Sequence, residues 1–130
     1  MDFTKKFGSL DPKVQAEWIE NDGSRFLIAP ANNIAFKNKT LEMFKMSEIQ
    51  GGGLDQLTAR RVIEIESEVK AQTVLLDWEN VSDKGANVSY NTDVAKDMIT
   101  NYEQFRNWLD AEAMKLAAKK QNSEDVKKKS

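Results

Sequence analysis

Apolar and polar residues alternate with a period of two along AEWIENDGSRFLIA, residues 16–29, on both sides of Asp22-Gly23. Both residues of that pair tolerate positive φ, so they predict a type I′ turn between two antiparallel strands. Pairing outward from the turn sets Asn21 against Ser24, Glu20 against Arg25, Ile19 against Phe26 and Trp18 against Leu27. Ile19, Phe26 and Ile28 then share one face, and Glu20 and Arg25 form an opposite-charge pair across the strands. Pro30 ends the second strand, because it has no N–H for a ladder.

The period then lengthens. In NNIAFKNKTLEMFKM, Ile34, Leu41 and Phe44 recur near helical spacing behind Asn32 or Asn33, either of which can serve as N-cap. A helix is predicted over 34–46. Gly51-Gly52-Gly53 breaks the chain as a non-helical hinge. The longest helix is predicted over 55–76, with Val62, Ile65, Val69 and Leu76 as its apolar stripe. In WENVSDKGANVSYNTD, residues 78–93, Trp78 and Val81 lie on an extended segment. Asp83-Lys84-Gly85 turns, with Gly85 left-handed, and Val88 and Tyr90 alternate with Asn87 and Ser89 as a half-buried strand does.

Asn91 or Thr92 caps a short helix that has Asp93 in its first turn. TNYE, residues 100–103, reads as a capping box opening the last helix. Phe105, Leu109, Ala113 and Leu116 share a face of that helix, with Trp108 beside them. Val94, Met98 and Tyr102 continue the stripe backwards, so a single helix competes with two; a break near Thr100 is preferred. The expected fold class is α+β, mainly helical. Its parts are an N-terminal β-hairpin, a central long helix, a short second β-hairpin, C-terminal helices and a disordered tail.

Composition narrows the chemistry. The 130 residues carry no Cys and no His, which removes thiol nucleophiles, disulfides, thiolate zinc sites and the commonest general base. Glu64, Glu66 and Glu68 do not form a carboxylate site, since only Glu64 and Glu68 share a helical face. No Lys-Ser/Thr pair follows the glycines, so they are no phosphate loop. Residues from Asp77 onward miss the register of a calcium loop. The three Asn-x-Ser/Thr sequons, at Asn38, Asn80 and Asn87, mean little without a secretion signal. No enzyme, cofactor or metal is expected.

The net charge of −2 speaks against nucleic acid. No apolar run approaches a membrane span, and MDFTKKFGSL lacks the apolar core of a secretory signal. A cytoplasmic protein is therefore expected, with one globular domain over 1–118. Five lysines against Glu124 and Asp125 give residues 119–130 a local charge of +3 and leave the body at −5. Val126 is the only apolar residue there, so this basic tail is expected to be disordered.

The order Trp78, Val81, Asp83, Gly85, Val88, Tyr90, Asn91, Asp93, then a short helix and an amphipathic one, resembles the C-terminal half of tail assembly chaperones from long-tailed, lambda-like siphophages. The Trp18-bearing hairpin, Arg25-Phe26-x-Ile28 and the Asn-initiated helix carrying Phe36 resemble the N-terminal half. The similarity spans residues 16–118. It implies a chaperone encoded just before the tape measure protein, which binds that protein, keeps it soluble and helps recruit tail tube subunits. The implied contact with the tail tube protein runs through a form extended by ribosomal frameshifting, and the lysine runs at 119–120 and 127–129 suit a slippery site. Weak homo-oligomers, a place in the host cytoplasm and absence from the mature virion belong to the same expectation. The alternative is a structural component of the tail or head–tail joint. Trp18, Phe26, Phe36, Trp78, Gly85, Tyr90, Phe105 and Trp108 are the candidate partner-binding or signature residues.

Overall fold

The computed structural model describes residues 2, 15–51 and 58–129, the side chains of 47–51 and 120–129 aside. Asp22 and Gly23 take φ values of 52° and 83°. That left-handed pair gives a turn whose twist matches two right-handed strands. Strands β1 (Glu17–Asn21) and β2 (Ser24–Ile28) pair in the register that the alternation requires, Trp18 opposite Leu27 and Ile19 opposite Phe26. Arg25 leaves the expected partner Glu20. Its Nη1 lies 2.9 Å from Glu79 Oε2, and its guanidinium sits 4.8 Å above the Trp18 ring. The reason is that β2 is a central strand.

That third strand corrects the helix expected over 55–76. Helix α2 covers only Ala59–Thr73, capped by Thr58, whose hydroxyl accepts from Arg61 N at 3.2 Å. The chain turns at Val74, and β3 (Leu75–Glu79) pairs antiparallel with the free side of β2. Helical spacing places Leu76 on the α2 stripe, but the unpaired N–H and C=O groups along β2 are a stronger demand. Leu75 through Trp78 answer it. A register shift at Leu27/Ile28 lets Leu75 face Ile28 while Phe26 faces Trp78.

The helix predicted over 34–46 is α1, Ile34–Gly51, longer by five residues. Gly51 is therefore helical; Gly52, Gly53 and the expected helix start at Asp55 lie outside the described residues. Strands β4 (Ser82–Asp83) and β5 (Ala86–Asn87) form the second hairpin around Lys84 (φ 52°) and Gly85 (φ 81°). The ladder is shorter than expected, since Val88 and Tyr90 lie beyond it. Helix α3 (Thr92–Asn101) begins behind Asn91, whose Oδ1 accepts from Val94 N at 2.8 Å.

The chain does break before the last helix, but at Tyr102. Thr100 is inside α3 and donates its hydroxyl to Lys96 O at 2.7 Å, so the expected capping box does not form. Instead Arg106 of α4 (Glu103–Lys129) reaches back and donates Nη1 to Ile99 O and Thr100 O, each at 3.0 Å. A fixed cation thereby meets the negative end of α3. Helix α4 continues to Lys129, through the stretch whose composition predicts no fixed structure. Among the described residues no helix is long and apolar enough to cross a membrane.

Among the described residues the two sheets, β1-β2-β3 and β4-β5, therefore sit among four helices. Ile28, Leu75, Ala95, Ile99 and Leu109 are wholly buried between the larger sheet and α3 and α4. The link from β2 to α1 crosses this core and is stitched at each step. Ala29 N donates to Val74 O at 2.9 Å, and Ala31 N to Ala113 O at 3.0 Å. Asn33, 1% exposed, uses its whole amide: Nδ2 donates to Pro30 O (2.8 Å) and Thr73 O (2.9 Å), and Oδ1 accepts from Phe36 N (2.8 Å). It caps α1 and closes the end of α2 with one side chain.

Asn33→Ala strands buried carbonyls as well as removing a helix cap, and is expected to lower stability by about 2–3 kcal/mol. Asn33→Asp keeps the acceptor for Phe36 but turns a charged oxygen toward two carbonyls, so it should not restore the loss. Urea midpoints at unchanged slope measure both. An Ala variant as stable as the parent would mean that the latch contributes nothing.

Candidate functional site

The stretch from Trp78 to Tyr90 folds back on itself around one indole. Trp78 is 5% exposed and faces Phe26 across the strands. Its Nε1 donates to Val88 O at 2.8 Å, and Tyr90 stands edge-on to its ring with centroids 5.1 Å apart. Val88 N donates to Val81 O at 2.8 Å, carrying the pairing of the small hairpin past Asn87. The Tyr90 hydroxyl donates to Leu75 O at 2.7 Å, with Ala71 O also within reach at 3.1 Å. The tight turn is what brings Val88 and Tyr90 back over Trp78. At Gly85 a β-carbon would meet nothing within 4 Å, so glycine is required there by conformation alone. Asp83 is tied to the α3–α4 junction by the Tyr102 hydroxyl, 3.3 Å away.

On the other side of Phe26 lie two rings from α4. Phe105 is 5.5 Å from Phe26, Trp108 is 5.2 Å from it in an edge-on contact, and the two α4 rings are 6.0 Å apart. Two ring groups, Phe26 with Phe105 and Trp108 and Trp78 with Tyr90, are thus joined in one aromatic assembly through the Phe26–Trp78 strand pair, with Gly85 at the turn that closes the second group. Trp18 and Phe36 stand apart from it. Trp18 lies on the opposite face of the sheet, 37% exposed beneath Arg25. Phe36 leaves α1 and packs at the edge of the core. It also lines a cleft of about 170 Å³ between α1 and α2, together with Thr40, Phe44, Glu66, Val69 and Lys70. That cleft has room for an aliphatic or aromatic side chain of a partner.

Three organising residues carry little sequence signal. Asn33 reads as one of two N-cap candidates, without a hint of its bonds to Pro30 and Thr73. Arg106 follows the α3–α4 break and looks like any surface arginine. Lys70 meets Asp110 of α4 at 2.7 Å with its side chain only 12% exposed, a pairing across forty residues that no local pattern announces. Among the described residues no group of three acidic side chains stands where it could hold a metal ion.

A family model described as YdaY prophage protein matches residues 28–129. No curated protein and no solved structure is significantly similar to the chain. The match takes in Phe36, Trp78, Gly85, Tyr90, Phe105 and Trp108 and leaves Trp18 and Phe26 outside it.

Burial lifts the Tyr90 phenol above its ordinary value of 10.0; a hydrogen bond with Thr92 opposes the rise and the charge of Asp77 adds to it. The folded chain therefore favours the neutral phenol. The stability this contributes is present below pH 10 and is lost as pH rises through the raised folded value. Tyr90→Phe should lose about 1 kcal/mol at neutral pH with the hydrogen bond to Leu75. It should also show a shallower decline above pH 10 in denaturation midpoints taken across the alkaline range. Parallel declines in parent and variant would show that Tyr90 does not set that limb.

Proposed function

Because the chain belongs to the YdaY prophage protein family and is phage-derived, we propose that it is a tail assembly chaperone. In this reading it binds the tape measure protein, keeps that long helical chain soluble and helps recruit tail tube subunits. The observation that carries the reading is the contiguity of its signature. Trp78, Gly85, Val88 and Tyr90, the residues that resemble such chaperones, build one folded unit, and the amphipathic helix that follows them packs on it through Phe26. The tail tube contact runs through a frameshift-extended form, and self-association is weak. The protein acts in the host cytoplasm and leaves the finished particle. No catalysis, cofactor, nucleic acid or membrane enters the proposal.

A binder of this kind works by covering apolar helix surface that would otherwise aggregate. Co-expression with the cognate tape measure protein is expected to move that protein from the pellet to the soluble fraction, with this chain co-purifying. A tape measure protein equally insoluble with and without it would sink the proposal. Detection of the chain in purified particles would favour a structural tail or head–tail component instead.

A further inference from the structure

Helix α1 carries apolar side chains on two adjoining faces, and the fold uses one of them. Phe36, Thr40 and Phe44 turn toward Val69 of α2 across the cleft. Ile34 and Leu41, two helical turns apart, are 41% and 71% exposed, and Met46 is 46% exposed. Of the six large apolar side chains left open to solvent among the described residues, three stand on this helix, and two of them, Ile34 and Leu41, share one face of it. A helix apolar on more than one face ordinarily buries each of them.

Charge says what kind of surface covers it. Lys37 and Lys45 are exposed and stand one turn before and one turn after Leu41. Among the described residues neither forms an ion pair, while the carboxylate of Glu42 is taken by Lys39 at 3.5 Å. The open row thus runs Ile34, Lys37, Leu41, Lys45, with Leu41 held between two cations.

We propose that this row docks an amphipathic helix of another protein, one whose apolar seam is flanked by Asp or Glu. One apolar side chain of that helix seats on Leu41 and another, two turns along, on Ile34, and carboxylates one turn to either side of the first meet Lys37 and Lys45. A second copy of this chain fits badly. Antiparallel pairing about Leu41 lays Lys37 of one copy on Lys45 of the other, and parallel pairing lays each lysine on its counterpart. Like charges at both ends oppose either arrangement, whereas an acidic helix is drawn in. The inference goes beyond the chaperone reading, since it concerns a face and a partner chemistry that hold whichever protein supplies the helix.

Two synthetic helices with the same leucine seam, one flanked by Glu and one by Lys, test it by calorimetric titration against the full chain. The Glu-flanked helix is expected to bind about tenfold tighter or better, given the coupling energies of close charge pairs. Leu41→Ser should abolish that binding at an unchanged melting temperature, because the position is exposed. The double variant Lys37→Glu/Lys45→Glu should reverse the preference. Equal binding of both helices, binding of neither, or binding unaffected by Leu41→Ser would overturn the proposal. So would a dimer in sedimentation that dissociates on Leu41→Ser, which would give the face to a second copy. Each of these outcomes leaves the chaperone reading to its own co-expression test.

Discussion

The pairing of β3 with β2 is the constraint on which the rest of the molecule depends. It joins residues about fifty positions apart and sets Trp78 directly against Phe26. Without it, β2 would be a bare edge and the apolar face of the hairpin would have half a cover. With it, Phe26 and Trp78 become cross-strand partners, and each recruits a different part of the chain. Phe26 receives Phe105 and Trp108 from α4. Trp78 receives Tyr90 and the Val88 carbonyl from the second hairpin. Ring pairs of this kind contribute about 0.5–1.5 kcal/mol beyond their area, so the assembly is a large share of a small domain's stability.

Polar groups around this assembly are as constrained as the rings. Where α2 gives way to β3, the carbonyls of Thr73, Val74 and Leu75 turn inward, and each one finds a donor. Tyr90 serves Leu75 and borders Ala71, Asn33 serves Thr73, and Ala29 N serves Val74. A helix-to-strand transition with one intervening residue is stable here because two distant segments, the β2–α1 link and the stretch at Tyr90, supply what the backbone lacks. The same residues link the two halves of the chain: Asn33 fixes the start of α1, and Tyr90 fixes the approach to α3. Arg106 performs the corresponding service at the α3–α4 break.

What could be read from the sequence follows the range of each interaction. Asp22-Gly23 set the first hairpin and its register because a two-residue turn leaves no freedom, and Asp83-Lys84-Gly85 gave the second for the same reason. Asn33 and Asn91 are each legible as one of two neighbouring cap candidates, beside Asn32 and Thr92, because capping is local. The third strand is not, since Val74-Leu75-Leu76 satisfies helical periodicity and its true partner lies in the first hairpin. Once β3 is missed, the Arg25–Glu79 pair is missed too, and Arg25 is left with Glu20. A capping-box pattern points to a break near Thr100; the structure has it at Tyr102, with Arg106 closing the end of α3. Among the candidate residues, the aromatic types stood out at once. Their division was invisible, with five gathered in one assembly, Trp18 left on the open face of the sheet and Phe36 at the α1–α2 cleft, because that division is a product of the sheet order.

The signature is thus first a folding device, and under the proposed chaperone role its value lies in holding the helices in fixed relation. Chemical denaturation of Trp78→Ala, read beside a tape measure pull-down, tests this most directly. With the ring as the hub of the core, the variant should lose about 3–5 kcal/mol, and any loss of binding should track the unfolded fraction. A variant that keeps full stability yet no longer binds would place the indole in a partner interface and contradict the account.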